Sequence, residues 1–292
     1  MKQAKAITIL TIVIVVFAAI AASIGIFSSE GPGRYEYTSI RNIVVTIYGK
    51  GLYQHMSAEV APQGIAQDYI TLFVAIPLLI ISLLLARKGS VRGRYLLAGS
   101  LVYFLVTYLF YSVMAMYNFM YLAYIILLGA SFYAFILTLF TFNRSKLSNY
   151  FKATTPFKLI GGFLVFCAVS IAFLWLSIII PPLADGSIIP MQAEHYTTLI
   201  VQALDLGILL PAAFISGNLL WRKATSGFLI APVYLVFLSL LMTALSAKVI
   251  AMALLDYPVV PVIFIIPSFN ILTVICTIVL LKNCDEEIVR SD

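Results

Sequence analysis

Three polar residues stand where chemistry is costly. Asp205 in "TTLIVQALDLGILLP", Lys248 in "ALSAKVIAMALLDYP" and Asn270 in "VIFIIPSFNILT" each interrupt an apolar run long enough to cross a membrane. Counted from the outer end of its run, Asp205 lies roughly 12 Å deep, Lys248 roughly 10 Å and Asn270 roughly 12–13 Å. They therefore share one layer. A lone charge at the bilayer centre costs about 2.5–3.5 kcal/mol on insertion scales. An aspartate beside a lysine lowers that cost, because each charge solvates the other. Pro267 frees a backbone carbonyl near the same layer. Gln202 precedes Asp205 on the same helical face, with Thr198 a turn above, so a polar stripe leads in from the outer surface. Ala244, Ala247 and Ala251 around Lys248 let a neighbouring helix come close.

The layer supports several readings. In the leading one the protein binds or transports a small solute or lipid-like molecule; Asp205 takes a cation or proton, and Lys248 is its partner or an anion anchor. In another, Asp205 and Lys248 only clamp neighbouring helices, and the protein is structural or accessory. In a further one, Asp205 is the acid/base of a membrane-embedded enzyme acting on a lipid. A lysine in the penultimate span facing an aspartate is also the arrangement of a retinal Schiff base. Trp175 and Trp221 are poorly placed for a chromophore box and Lys248 is shallow, which sets that reading aside.

The elements that must position these residues follow from composition. The chain has 292 residues, 62% hydrophobic and 10% charged, against about 25% charged in soluble domains. This is the composition of a polytopic, all-α membrane protein. Eight apolar runs reach spanning length, over residues 6–27, 69–86, 95–115, 119–142, 159–181, 197–220, 228–253 and 262–281. In lipid such runs become helices, since a helix satisfies its own backbone. Arg87, Lys88, Arg92, Arg94, Arg144, Lys146, Lys152, Lys158, Arg222, Lys223, Lys282 and Arg290, with Lys2 and Lys5, fall on one side. Only Arg34, Arg41 and Lys50 fall on the other. The bias puts both termini in the cytoplasm of a multi-pass cell-membrane protein. The net charge of +6 sits in these short loops, so it speaks for the lipid bilayer as partner and against nucleic acid. Cys167, Cys276 and Cys284 imply no disulfide framework.

Two stretches repeat. Glu59, Gln67 and Arg87-Lys88 recur as Glu194, Gln202 and Arg222-Lys223 at one constant offset, while Pro77 and Pro211 differ from it by a residue. The pattern reads as a duplicated four-helix unit within a single membrane domain over 1–292, with copies over 1–145 and 146–292 in parallel orientation. The start "MKQAKAITILTIVIVVFAAIAAS" also has the make-up of a signal peptide, whose cleavage would leave seven spans. The run is long for a cleaved signal, and the repeat makes it the counterpart of 159–181, so it is kept as a span. The longest outer loop, 28–68, holds "YEYTSIRNIVVTIYGKGLY", which reads as a strand or short β-hairpin capping the bundle, either as a lid or as a rigid connector.

In the N-terminal copy tyrosines stand where the C-terminal copy has charges. Tyr108, Tyr111, Tyr117, Tyr121 and Tyr124 gather toward the outer end, with Asn118 in the turn. They form an interfacial aromatic belt or, with Asp68 and Gln67 at the mouth of the second span, part of a pocket. The candidate binding set is Asp68, Gln202, Asp205, Lys248, Asn270, Tyr111 and Tyr117. His55 with Glu59 and Glu194 with His195 could hold a metal if the repeat brought them together, but the spacing is loose. No metal, cofactor or catalytic residue is assigned. Phosphate loops, HExxH and G-x-S-x-G patterns are not found in the sequence.

The stretches "GLYQHMS", "QDYITLFVAIPLLIISLLLARKGSVRGR" and "MYNFMYLAYIILLGASFYAF" resemble an uncharacterised family of prokaryotic polytopic, eight-span membrane proteins. The resemblance covers mainly residues 48–140 and implies no activity.

Overall fold

Each apolar run becomes a helix, because a long aliphatic segment buries its peptide groups most cheaply by bonding them to itself. A computed structural model describes residues 2–284; Arg290 lies outside the described residues. Eight helices long and apolar enough to span a membrane occur among them. They are α1 (Lys2–Phe27), α2 (Val60–Arg87), α3 (Val91–Val113), α4 (Tyr121–Leu139), α5 (Phe157–Asp185), α6 (Ile200–Trp221), α7 (Gly227–Leu254) and α8 (Val262–Lys282). A short hairpin, β1 (Tyr35–Thr38) with antiparallel β2 (Val44–Ile47), follows α1. One end of the bundle is the hairpin face. The other, where α1 begins and α8 ends, is the termini face.

The centre is α3 crossing α7, the two most buried spans. At Gly99 on α3 there is no room for a side chain, since a Cβ there would run into Val236 of α7. Around this crossing α3 packs on α4 and α2, and α7 packs on α8 and α6. The two flanks differ. On one, α1 lies against α4 along much of its length. On the other, α5 and α8 meet where Phe269 comes against Phe163 and Phe166, at centroid distances of 6.4 and 6.0 Å, and share little else.

α2 and α6 each contain a π turn, over Thr71–Ala75 and Asp205–Leu209. In each, the amide after the turn reaches five residues back, Ile76 to Thr71 and Leu210 to Asp205. The next residue is a proline in both helices, Pro77 and Pro211. Proline removes one amide donor and pushes on the carbonyl four residues before it, and a widened turn relieves that crowding.

α2 starts at Val60, not at residue 69 as the polarity of "AEVAPQGIAQDY" led the sequence to be read. Pro62 sits in its first turn, where a missing amide costs nothing. Asp68 is therefore eight residues inside a helix, roughly 12 Å along it, rather than at a loop mouth. The hairpin is tied to the far half of the chain. Arg41, in its turn, donates to the carbonyls of Glu194 (3.0 Å), Tyr196 (2.7 Å) and Thr197 (3.2 Å). The Ser57 amide donates to the Tyr196 hydroxyl at 3.1 Å.

The α5–α6 crossing is the tightest on the open flank. A Cβ on Gly161 would fall 2.5 Å from the Gly217 carbonyl oxygen and 2.8 Å from the Trp221 amide nitrogen. Backbone cannot yield as a side chain does. Gly161→Val is expected to cost about 1–3 kcal/mol or more, read as a lower unfolding midpoint in detergent; an unchanged midpoint would contradict so close an approach.

Candidate functional site

A polar seam joins α2 to α3. Gly64, Gln67, Asp68 and Thr71 recur at helical spacing on α2, and Tyr103, Thr107 and Tyr111 recur every fourth residue on α3. The Gln67 amide donates to the Tyr103 hydroxyl at 2.7 Å and to Thr107 at 3.3 Å, and Thr71 bonds Tyr103 at 3.0 Å. Tyr111 donates to Asp68 Oδ1 at 3.2 Å. Tyr53, from the one-turn helix Gly51–Tyr53, donates to Asp68 Oδ2 at 2.5 Å. The carboxylate is 2% exposed. Gly25 of α1 lets it fit, because a Cβ there would collide with it. Burial, with the charge of Asp68 behind it, holds the Tyr53 phenol well above its ordinary range. The outward pocket expected around Asp68 and Tyr111 is thus a closed, hydrogen-bonded core. Tyr117 stands apart, 77% exposed and packed on Tyr121.

The second carboxylate has different surroundings. Asp205 is the first residue of the π turn in α6 and is only partly buried. It accepts the indole N–H of Trp175 on α5 at 2.8 Å. The Tyr234 hydroxyl of α7 donates to the Leu209 carbonyl at the far end of the turn, at 2.9 Å. Toward the hairpin face, a cavity of about 450 Å³ opens between α5, the 186–199 loop and α6. Ile179, Leu183 and Leu206 form its apolar wall, and Thr198, Gln202 and Arg41 supply polar groups. The stripe Thr198–Gln202–Asp205 expected from the sequence thus has two members on this cavity and the third one turn below Gln202.

Lys248 is half-buried on α7. Among the described residues it makes no hydrogen bond and no ion pair within 4.0 Å. The carboxylates whose fields reach it are Asp68 and then Asp205. Asn270 sits deeper, where its side-chain oxygen accepts from Thr243 at 3.3 Å; Thr243 lies five residues, roughly 7.5 Å, toward the termini face from Lys248. Both Asp68 and Asp205 thus act on Lys248 by their charge, while Asn270 bonds a residue below it.

The two His–Glu pairs do meet at the hairpin face, through backbone as well as side chains. His195 Nε2 lies 3.2 Å from the His55 carbonyl. Partial burial, and after it the charge of Glu194, push the Glu59 carboxyl above its usual range.

Sequence reasoning missed two of these residues. Tyr53 lies outside any span and reaches Asp68 only because the chain folds back on α2. Trp175 carried a usable signal, since an indole N–H inside an apolar helix needs an acceptor.

No family model, curated protein or solved structure matches this chain.

Proposed function

We propose that this multi-pass protein takes up a small solute or lipid-like molecule through the cavity between α5 and α6 and carries it past Asp205. The observation that carries the reading is the cavity itself. Its polar residues are Thr198, in the loop just before α6, and Gln202, on the face of α6 that continues to Asp205, a partly exposed carboxylate held by one indole. The clamp alternative asks for direct contact between Asp205 and Lys248, and Lys248 makes none among the described residues.

In this reading the chain is a duplicated unit, with α1–α4 and α5–α8 as parallel copies. The matching π turns support it. Pro77 and Pro211 keep the same distance from the start of the π turn, so the one-residue slip of the proline against Gln67 and Gln202 is a slip of the whole turn. The copies would have diverged in use. The N-terminal copy, closed by α1 on α4 and by tyrosines around Asp68, is the scaffold. The C-terminal copy, parted between α5 and α8 toward the hairpin face, is the working half. The basic loops of the termini face support a reading in which both termini are cytoplasmic and the cavity opens outward.

Accessibility tests this directly. In a background with Cys167, Cys276 and Cys284 replaced by serine, Thr198→Cys and Gln202→Cys are expected to react with a membrane-impermeant maleimide applied from outside. Tyr103→Cys, on the closed seam, is expected to stay unmodified. If neither cavity position reacts in a folded protein, the uptake route is wrong.

A further inference from the structure

The ring of His195 is held as a metal ligand is held. Its side chain is 5% exposed, between Tyr196 at a centroid distance of 4.3 Å and Tyr37 at 6.1 Å. A carbonyl can only accept, so Nε2 must carry the proton it gives to His55. Neutral imidazole then presents a bare lone pair on Nδ1. That atom is buried and has no hydrogen-bond partner, and it points at Glu194 Oε2, 4.0 Å away, which is also buried and unpartnered. A lone pair facing a carboxylate oxygen repels it unless a proton or a metal ion lies between them. A second carboxylate, Glu59, is close enough to feel the charge of Glu194. The nearby cation, Arg41, spends three donors on the carbonyls of Glu194, Tyr196 and Thr197.

We propose that Nδ1 of His195 and the carboxylate of Glu194, with Glu59 or water completing the shell, bind a divalent transition-metal ion of the zinc class. A ring N–H given to a backbone carbonyl is the usual outer support of a metal-bound histidine, because it fixes the tautomer and the ring plane. Ligands at about 2.0–2.2 Å on a tetrahedral zinc lie roughly 3.3–3.5 Å apart, so a closure of about half an ångström completes the pair. Among the described residues no three His, Cys, Asp or Glu side chains are already grouped as a metal site, and the third ligand comes in on binding. The ion would join the two halves of the chain at the hairpin face. It would also fix the 186–199 loop, whose Ala193 and Thr197 line the cavity. This site stands independently of the transport reading.

The test uses the full-length protein in detergent, stripped with a chelator and titrated with Zn²⁺ alone by calorimetry. One ion per chain is expected, with a higher unfolding midpoint. His195→Gln and Glu194→Gln should each weaken binding by about 10–100-fold or more. His55→Gln should leave it unchanged, since His55 contributes only its carbonyl. If His195→Gln fails to fold, Glu194→Gln and Glu59→Gln carry the same comparison. Absence of binding in the wild type overturns the proposal. So does equal loss in His55→Gln and His195→Gln, which marks adventitious binding, or a midpoint that follows pH and ignores zinc, which assigns the gap to a proton.

Discussion

Asp68→Leu is expected to cost about 2–5 kcal/mol of stability, read as a large fall in the unfolding midpoint or as failure to recover folded protein from detergent. The reason is what the leucine would orphan. Tyr53 loses its short bond and Tyr111 its bond to the carboxylate, which leaves the two hydroxyls a 3.2 Å contact with each other and Tyr111 a 3.3 Å contact with the Gly64 carbonyl. Both hydroxyls sit where water does not restore the bond. Asp68→Asn keeps one acceptor and should cost less, about 1–3 kcal/mol. The informative experiment is a double-mutant cycle with Lys248→Met. Asp68 is the carboxylate whose field reaches Lys248 most strongly, so Asp68→Asn and Lys248→Met should be non-additive by about 0.5–3 kcal/mol. Asp205→Asn with Lys248→Met should come closer to additive. The opposite ranking would restore Asp205 as the lysine's main counter-charge.

The contrast between these carboxylates also shows what the sequence could and could not say. The eight spans were legible because apolar length decides them, and most ends fall within a few residues of the helices observed. The start of α2 was not, because glutamine and aspartate in "AQDYI" read as solvated. They are buried because α3 offers Tyr103, Thr107 and Tyr111 at matching spacing, a fact of packing between helices. The hairpin could be read from β-branched and aromatic alternation with turn residues around it. Its grip on the 186–199 loop could not, since Arg41 bonds backbone carbonyls, which leave no trace in residue type. Counting from span ends did not bring Asp68 toward Lys248, and it put Asn270 level with Lys248, whereas Asn270 bonds Thr243, five residues away. Pairing failed for a plainer reason. Depth along a helix can be counted from sequence; azimuth between helices cannot, and azimuth decides that Asp205 faces Trp175 rather than Lys248.

Asp205→Asn is expected to leave the fold nearly intact and, on the uptake route proposed above, to abolish flux. The indole N–H of Trp175 needs an acceptor, and the amide oxygen of asparagine supplies one in the same place, so the stability change should stay within about 1 kcal/mol. Asp205→Leu, which leaves the indole unpaired, should cost more. Function should rank differently from stability. In proteoliposomes offered a mixed panel of small solutes and amphiphiles, whatever the wild type accumulates should fall to the level of empty liposomes in both Asp205 variants. Trp175→Phe removes a bond but keeps the charge, so it should retain flux with altered affinity. This separation distinguishes a site from a clamp. A clamp predicts that Asp205→Asn and Lys248→Met each prevent folding and that the double variant recovers it. A site predicts folded, inactive Asp205→Asn protein that Lys248→Met does not rescue. Undiminished flux in Asp205→Asn would leave the cavity without its carboxylate and remove Asp205 from the route.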